Sequence, residues 1–250
     1  TVDYDGKYVY AEHLQKLNQK LLDVASGKIK RLMVFMPPRH GKSELISKFF
    51  PAWYLGTHPN NRIILSSYEA DQAAGFGQKA RDLLEAYKNV YGVKVNGASA
   101  ARNRWDIEGH QGWMVTAGVG GAITGKGANI FIIDDPVKNS EQANSVTYRE
   151  KAKDWYASTA YTRLTPDGAI ILVQTRWHED DLGGWLLNES NDEWDVLKLP
   201  AIDEDGNALW PDHFNIDKLN SIKREMGEYW FTAMYQQEPQ PAEGAIFKRS

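Results

Sequence analysis

The run Met36-Pro37-Pro38-Arg39-His40-Gly41-Lys42-Ser43 carries the strongest chemical signal in the chain. Glycine, lysine and serine in succession, between an apolar run and a helical stretch, form the pattern of a loop that cradles phosphates. Backbone N–H groups turn inward where glycine permits, an ammonium reaches the outer phosphates, and a hydroxyl holds magnesium. The full pattern has glycine where this chain has Met36, and the alternative for the tripeptide alone is a strand-to-helix turn with a capping serine. A second signal lies at Ile130-Phe131-Ile132-Ile133-Asp134-Asp135, an apolar run ending in adjacent carboxylates. Such a pair suits ATP hydrolysis, with Asp134 on magnesium and Asp135 polarising the attacking water. Glutamate is commoner in the second place, and the shorter Asp135 side chain needs a closer water. A third run, Ile170-Ile171-Leu172-Val173-Gln174-Thr175-Arg176, brings Gln174 and Thr175 to the carboxyl end of a strand, where open parallel sheets place their ligands. Both are expected to face the outer phosphate.

Other residues have chemical side chains without the matching pattern. Trp177-His178-Glu179-Asp180-Asp181 has the types of a metal cluster, but acids ahead of Leu182 better suit a helix start. The five glycines between Ala117 and Asn129 fail the dinucleotide spacing, because that segment enters a strand instead of leaving one. It reads as a mobile loop in which Lys126 is placed to reach a neighbouring subunit. The nine tryptophans, Trp105, Trp113, Trp155 and Trp230 among them, are able to stack on bases, although scattered tryptophan more often packs.

These groups need a frame. Leu14, Leu17, Leu21, Leu22 and Val24 give residues 1–28 the rhythm of an amphipathic helix, ended by Ser26-Gly27. Short apolar runs at 31–36, 63–65, 130–133 and 169–173 read as buried strands. Helical stretches are expected at 43–50, stopped by Pro51, and at 71–91. Strands apolar throughout and alternating with helices predict an α/β fold whose mostly parallel sheet is covered on both faces. From about Leu199 the character shifts to turn signals, and 217–235 reads as a last helical stretch in a small appended subdomain. The polar, proline-rich run 236–244 has the composition of a linker and suggests truncation before a further domain.

Two hundred and fifty residues suffice for one large domain with an appendage. The net charge of −4 does not by itself recruit nucleic acid, so any such contact must be local. With no cysteine there is no disulfide framework and no thiolate chemistry, which fits a reducing cytoplasm. No apolar run approaches the roughly 20 residues of a membrane span, and no secretion signal opens the chain.

Several of these segments, in order, resemble the large terminase subunit of tailed bacteriophages. They are the run Arg31 to Leu45, Ser66-Ser67-Tyr68-Glu69-Ala70-Asp71-Gln72-Ala73 leading to Arg81, and Thr124-Gly125-Lys126-Gly127 ahead of Ile133-Asp134-Asp135-Pro136. Thr175 to Leu182 and Leu199-Pro200-Ala201-Ile202 complete the set. The resemblance implies a P-loop ATPase core over 1–198 and a small linker subdomain over 199–250, without the nuclease domain such proteins also carry. It implies ATP and Mg2+ as cofactors, with Pro38, Arg39, His40, Gly41, Lys42, Ser43 and Glu44 around the phosphates. Arg39 is then the arginine within the loop, and Thr175 belongs to the motif coupling hydrolysis to movement. Adenine is expected near His13 or Gln15. Many relatives have glutamate as the second acid and arginine ahead of that strand, where this chain has Asp135 and Lys126. The implied activity is translocation of double-stranded DNA into a procapsid, in a homo-oligomeric ring on the portal protein, with the small terminase subunit as partner, in the cytoplasm of the bacterial host. An isolated chain is expected to be monomeric. A helicase-like enzyme or a nucleotide switch is the alternative.

Overall fold

A computed structural model describes residues 11–121, 123, 125 and 127–241. Lys126 and Thr124, singled out above, lie outside the described residues, as does the end of the proline-rich tail. The elements run α1 (Glu12–Ala25), β1 (Arg31–Phe35), α2 (Phe50–Thr57), β2 (Arg62–Ser67), α3 (Ala70–Ala86), α4 (Lys88–Tyr91), β3 (Val95–Ala101), β4 (Arg104–Ile107) and β5 (Trp113–Gly118). After these come β6 (Ala128–Asp134), α5 (Ser140–Asn144), α6 (Val146–Trp155), β7 (Leu164–Gln174), α7 (Leu182–Glu189), β8 (Asp195–Lys198), α8 (Ile216–Met226) and α9 (Glu228–Met234).

One eight-stranded sheet orders them β3-β4-β5-β2-β6-β7-β1-β8. Every pairing from β5 to β8 is parallel; only β3-β4 and β4-β5 are antiparallel. Side chains along the central strands alternate between two covered faces. Leu32 and Val34 join Ile132, Ile171, Leu17, Leu21 and Phe76 on one face. Met33 and Phe35 join Phe131, Ile133, Leu172, Trp155 and Leu186 on the other. Burial on both faces is why these strands read as unbroken apolar runs.

The strand between β6 and β1 is the one that matters for chemistry. Register sets Phe35 beside Gln174 and Asp134 beside Val173, so the ends of β1, β7 and β6 stop at one level. Each of the three candidate segments therefore opens onto the same carboxyl edge of the sheet.

Three expectations change. Helix does not stop at Pro51: a π-helical turn over Glu44–Phe49 runs directly into α2, with proline in its first turn. The Phe50 N–H reaches back five residues to Leu45 O, and a wider turn spares the proline ring the clash with a carbonyl four residues earlier. The strand expected over 169–173 begins earlier, at Leu164, with a register shift against β6 between Ala128 and Ile130. Residues 71–91 divide into α3 and α4 at Tyr87.

After β8, the Leu199 N–H donates to Phe35 O at 2.9 Å, carrying the chain off the end of β1. Residues beyond it form a small cluster of their own around Ala201, Leu219 and Phe231, with α8 and α9 packed together.

Candidate active site

The loop after β1 turns under the sheet edge on two residues of positive φ, Arg39 at 61° and Gly41 at 92°. Gly41 fits because a Cβ there would lie 2.9 Å from Leu14 Cδ2 on α1. Gly41→Ala is expected to cost about 1 to 2 kcal/mol from the left-handed backbone alone, read as a lowered melting temperature, and to weaken nucleotide binding further by shifting the loop. Unchanged stability and binding would show that the loop needs no glycine.

Lys42, 6% exposed, is aimed at the neighbouring strands. Its Nζ donates to Thr175 Oγ1 at 2.9 Å and pairs with Asp135 Oδ2 at 3.1 Å. Ser43 Oγ donates to Asp134 Oδ1 at 3.0 Å, and Ser47 Oγ donates to Asp134 Oδ2. Ser47 was not singled out in the sequence, yet it stands one helical turn beyond Ser43, the spacing that shares a face. Asp134 is 1% exposed, and burial, followed by the charge of Asp135, pushes its carboxyl up to about 7 against the opposing Lys42 and serines. Asp135 sits just past β6 at φ 44°, a left-handed turn that sends its Oδ1 to the Thr175 N–H at 2.7 Å. The Thr175 hydroxyl is also 3.3 Å from Met36 O as donor.

The remaining candidates divide. Glu44 is paired with Lys48 on the π turn. Arg39 is exposed and has no ion pair among the described residues, although its charge is felt by Tyr235. Gln174 turns away from Thr175, as alternation along a strand requires. Its buried Nε2 has no hydrogen-bond partner among the described residues and lies where a Cβ on Gly183 would be 2.8 Å away. His178 to Asp181 hold structure: Asp181 caps α7 through the Gly184 N–H and binds Arg176, while Asp180 pairs with Arg149 and Lys153. No cluster of three metal-ligating side chains occurs among the described residues. Trp105 is in the core, fully buried, its Nε1 donating to Gly77 O.

His40 forms the floor of the loop. Its ring is fully buried, stacks on Phe214 at 4.7 Å, and its Nδ1–H donates to Pro38 O at 2.8 Å. The other nitrogen has no partner among the described residues. Burial holds the imidazole at about 4, and the charges of His13, His213 and Lys42 act in the same direction. His13 is placed against His40, its Nε2 3.0 Å from His40 O and its ring 5.2 Å from that of Trp210. Gln15 faces elsewhere, into a cavity of about 750 Å³ that Leu45, Phe49, Trp53, Tyr87 and Tyr91 also line. Neither acid lines that cavity, nor does any residue of 36–44.

His40 has a consequence for stability. The unfolded chain takes up a proton near the ordinary histidine value of 6.5 and the folded chain only near 4, so stability rises with pH between those values and is lost as pH falls through them. The full loss is expected to be about 3 kcal/mol, measured by denaturant titration against a His40→Phe variant, which should lose that much less. Parallel curves for both proteins would contradict it.

A family model described as terminase large subunit, T4likevirus-type, N-terminal, matches residues 33–250. Among solved structures, a mutant of the large terminase ATPase domain from Thermus phage P74-26 superposes with a TM-score of 0.61 at 13% identity, covering 94% of this chain and 96% of that one. The large terminase of bacteriophage HK97 gives 0.54 at 12% identity over 80% of this chain and 41% of that one. A large terminase from a thermophilic bacteriophage, in complex with ADP, gives 0.51 at 10% identity over 88% and 52%. At such identities the likeness is one of fold. This chain therefore spans about half or less of those two longer terminases. No curated protein sequence matches.

Proposed function

Since the chain belongs to the terminase large subunit family, through its N-terminal part, we propose that it is a magnesium-dependent ATPase that turns hydrolysis into translocation of double-stranded DNA into a procapsid. The observation that carries this reading is the meeting, at one sheet edge, of Lys42 with Thr175 and Asp135 and of Ser43 with Asp134. Lys42 sits where an outer phosphate would replace its present partners, and Thr175 is then freed to follow that phosphate. Asp135 is fixed through Oδ1 by the Thr175 N–H, and its Oδ2, now paired with Lys42, is released to orient a water once Lys42 turns to a phosphate.

Magnesium fits the donors present. A buried carboxylate whose charge burial disfavours, flanked by two serine hydroxyls, is an oxygen-only set of the kind that metal prefers. Ser43 and Asp134 would hold it, and bound there it would neutralise charge building on the phosphates. ADP in a solved relative supports an adenine nucleotide as ligand. His13, closed between His40 and Trp210, serves in this reading to set the loop, and Gln15, which lines the cavity beside α1, is the candidate for the base.

Arg39 is exposed on the loop itself and is proposed as the arginine acting within the chain. A finger from a neighbouring subunit has two further candidates, Lys126 and Arg163. Arg163 precedes β7, at the edge opposite Asp134 and Thr175. A basic group at that edge would serve another subunit's phosphates instead of its own, in a ring on the portal protein with the small subunit as partner. Residues 1–198 are proposed as the ATPase core and 199–250 as the linker subdomain, acting in the bacterial cytoplasm. No described helix is long and apolar enough to cross a membrane. Phosphate release measured with and without magnesium, DNA and procapsids tests the whole: stimulation by DNA with procapsids supports the motor, and nucleotide binding without turnover under all conditions contradicts it.

A further inference from the structure

Past the end of β7, two successive main-chain N–H groups are taken by side chains instead of by a neighbouring strand. The first, of Thr175, goes to Asp135 Oδ1 at 2.7 Å. The second, of Arg176, goes to Gln237 Oε1 at 3.1 Å. Gln237 lies three residues beyond α9, where the chain leaves the subdomain, and it is 2% exposed.

Gln237 is held there against its own preference. Its φ is 60°, a left-handed conformation that costs a residue with a Cβ about 1 to 2 kcal/mol. The surroundings impose it. Gln237 Nε2 donates to Met234 O, and Gln236 clasps Ile202 twice, accepting from its N–H at 3.1 Å and donating to its O at 2.9 Å. Glu238 is tied back by Lys198 at 2.6 Å. The Arg176 peptide is equally fixed, since its guanidinium is bound to Asp181 at 2.8 Å and lies 4.8 Å over the Phe35 ring. A displacement of Thr175 therefore reaches Gln237 through one rigid peptide, with Lys42 2.9 Å from the threonine at the other end.

We propose that Gln237 is a positioning residue that ties the placement of Thr175 against Lys42 to the segment leaving the subdomain, so that occupancy of the phosphate site and the setting of that segment influence each other. The inference rests on the ATPase reading above, and coupling of this kind is reciprocal by thermodynamic necessity.

Three proteins separate the two claims: wild type, Lys42→Ala and Gln237→Gly, the last keeping the left-handed backbone while losing both side-chain hydrogen bonds. If Lys42→Ala hydrolyses ATP as fast as wild type, the ATPase reading itself fails, whatever Gln237 does. With that reading intact, Gln237→Gly is expected to lower kcat about 10-fold with KM within about two-fold, a coupling of ordinary size. Gln237→Glu, which keeps an acceptor for the Arg176 N–H, is expected to recover most of that loss. Amide exchange over 236–241 is expected to change in the wild type when a non-hydrolysable ATP analogue and magnesium are added, and not in Gln237→Gly. A wild-type kcat in Gln237→Gly, no recovery in Gln237→Glu, or no nucleotide-dependent exchange over 236–241 in the wild type would each overturn the proposal, the last even if the glycine variant fails to fold.

Discussion

Lys42→Ala is expected to slow ATP hydrolysis by about 10³-fold or more, since phosphoryl transfer rests almost wholly on charge stabilisation and this is the ammonium aimed at the site. The variant also leaves two adjacent carboxyl groups without the cation that offsets them, 3.1 Å from Asp135. Breaking a buried pair from one side typically costs about 3 to 5 kcal/mol. Part of that is recoverable here, because Asp134 is already displaced towards its neutral form. The folded variant is therefore expected to melt lower and to hold a proton on Asp134 more tightly. Phosphate release and thermal melting on the same preparation check both parts, and a folded, fully active variant would remove the phosphate loop from the mechanism.

The two acids should separate by phenotype. Asp135→Asn keeps a carbonyl oxygen for the Thr175 N–H but loses the charge facing Lys42, so turnover is expected to fall by about 10²-fold or more while magnesium-dependent nucleotide binding changes little. Asp134→Asn instead places an NH2 group where two serine hydroxyls now donate. At least one hydroxyl must then turn, and the metal loses its anionic ligand, so the larger effect is on binding. Magnesium titrations of nucleotide affinity in both variants decide it. Equal loss of metal affinity in the two would mean that the acids form one metal site.

The readable parts of this chain were those where burial on both faces writes an unbroken apolar run. Leu32 to Phe35, Ile63 to Leu65, Ile130 to Ile133 and Ala169 to Val173 all fell on parallel strands, and the polar residues at the ends of β6 and β7 fell on the chemical edge. The antiparallel end was not legible: Val95–Ala101 is a half-exposed run of small and polar residues, and Arg104–Ile107 is four residues long. Asp195–Lys198 alternates without a strong apolar signal and pairs only with β1. Within the site, Lys42, Ser43, Asp134, Asp135 and Thr175 could be named from motif and position. Ser47 carried only a spacing signal. Gln237 carried none, because a glutamine in a proline-rich tail gains its role from a partner 61 positions earlier. Gln174 ends the strand as expected, with its Nε2 set against Gly183.

Among the described strands of the sheet, β1 is made first and is among the last to be completed. Arg31 pairs with Ile170 and Leu32 with Asp195, so neither edge of β1 has a partner until β7 and β8 have been synthesised. At a ribosomal pace of about 5 to 20 residues per second, that wait is on the order of ten to thirty seconds. Throughout it Leu32-Met33-Val34-Phe35-Met36 is an unpaired, uncharged apolar strand, the kind of segment that nascent chains aggregate through. Its flanks answer that hazard. Lys28, Lys30 and Arg31 precede it, and Pro37 and Pro38 follow, charge on one side and a missing N–H on the other. The prolines opening the phosphate loop thus also act during synthesis, as gatekeepers of the strand that carries it.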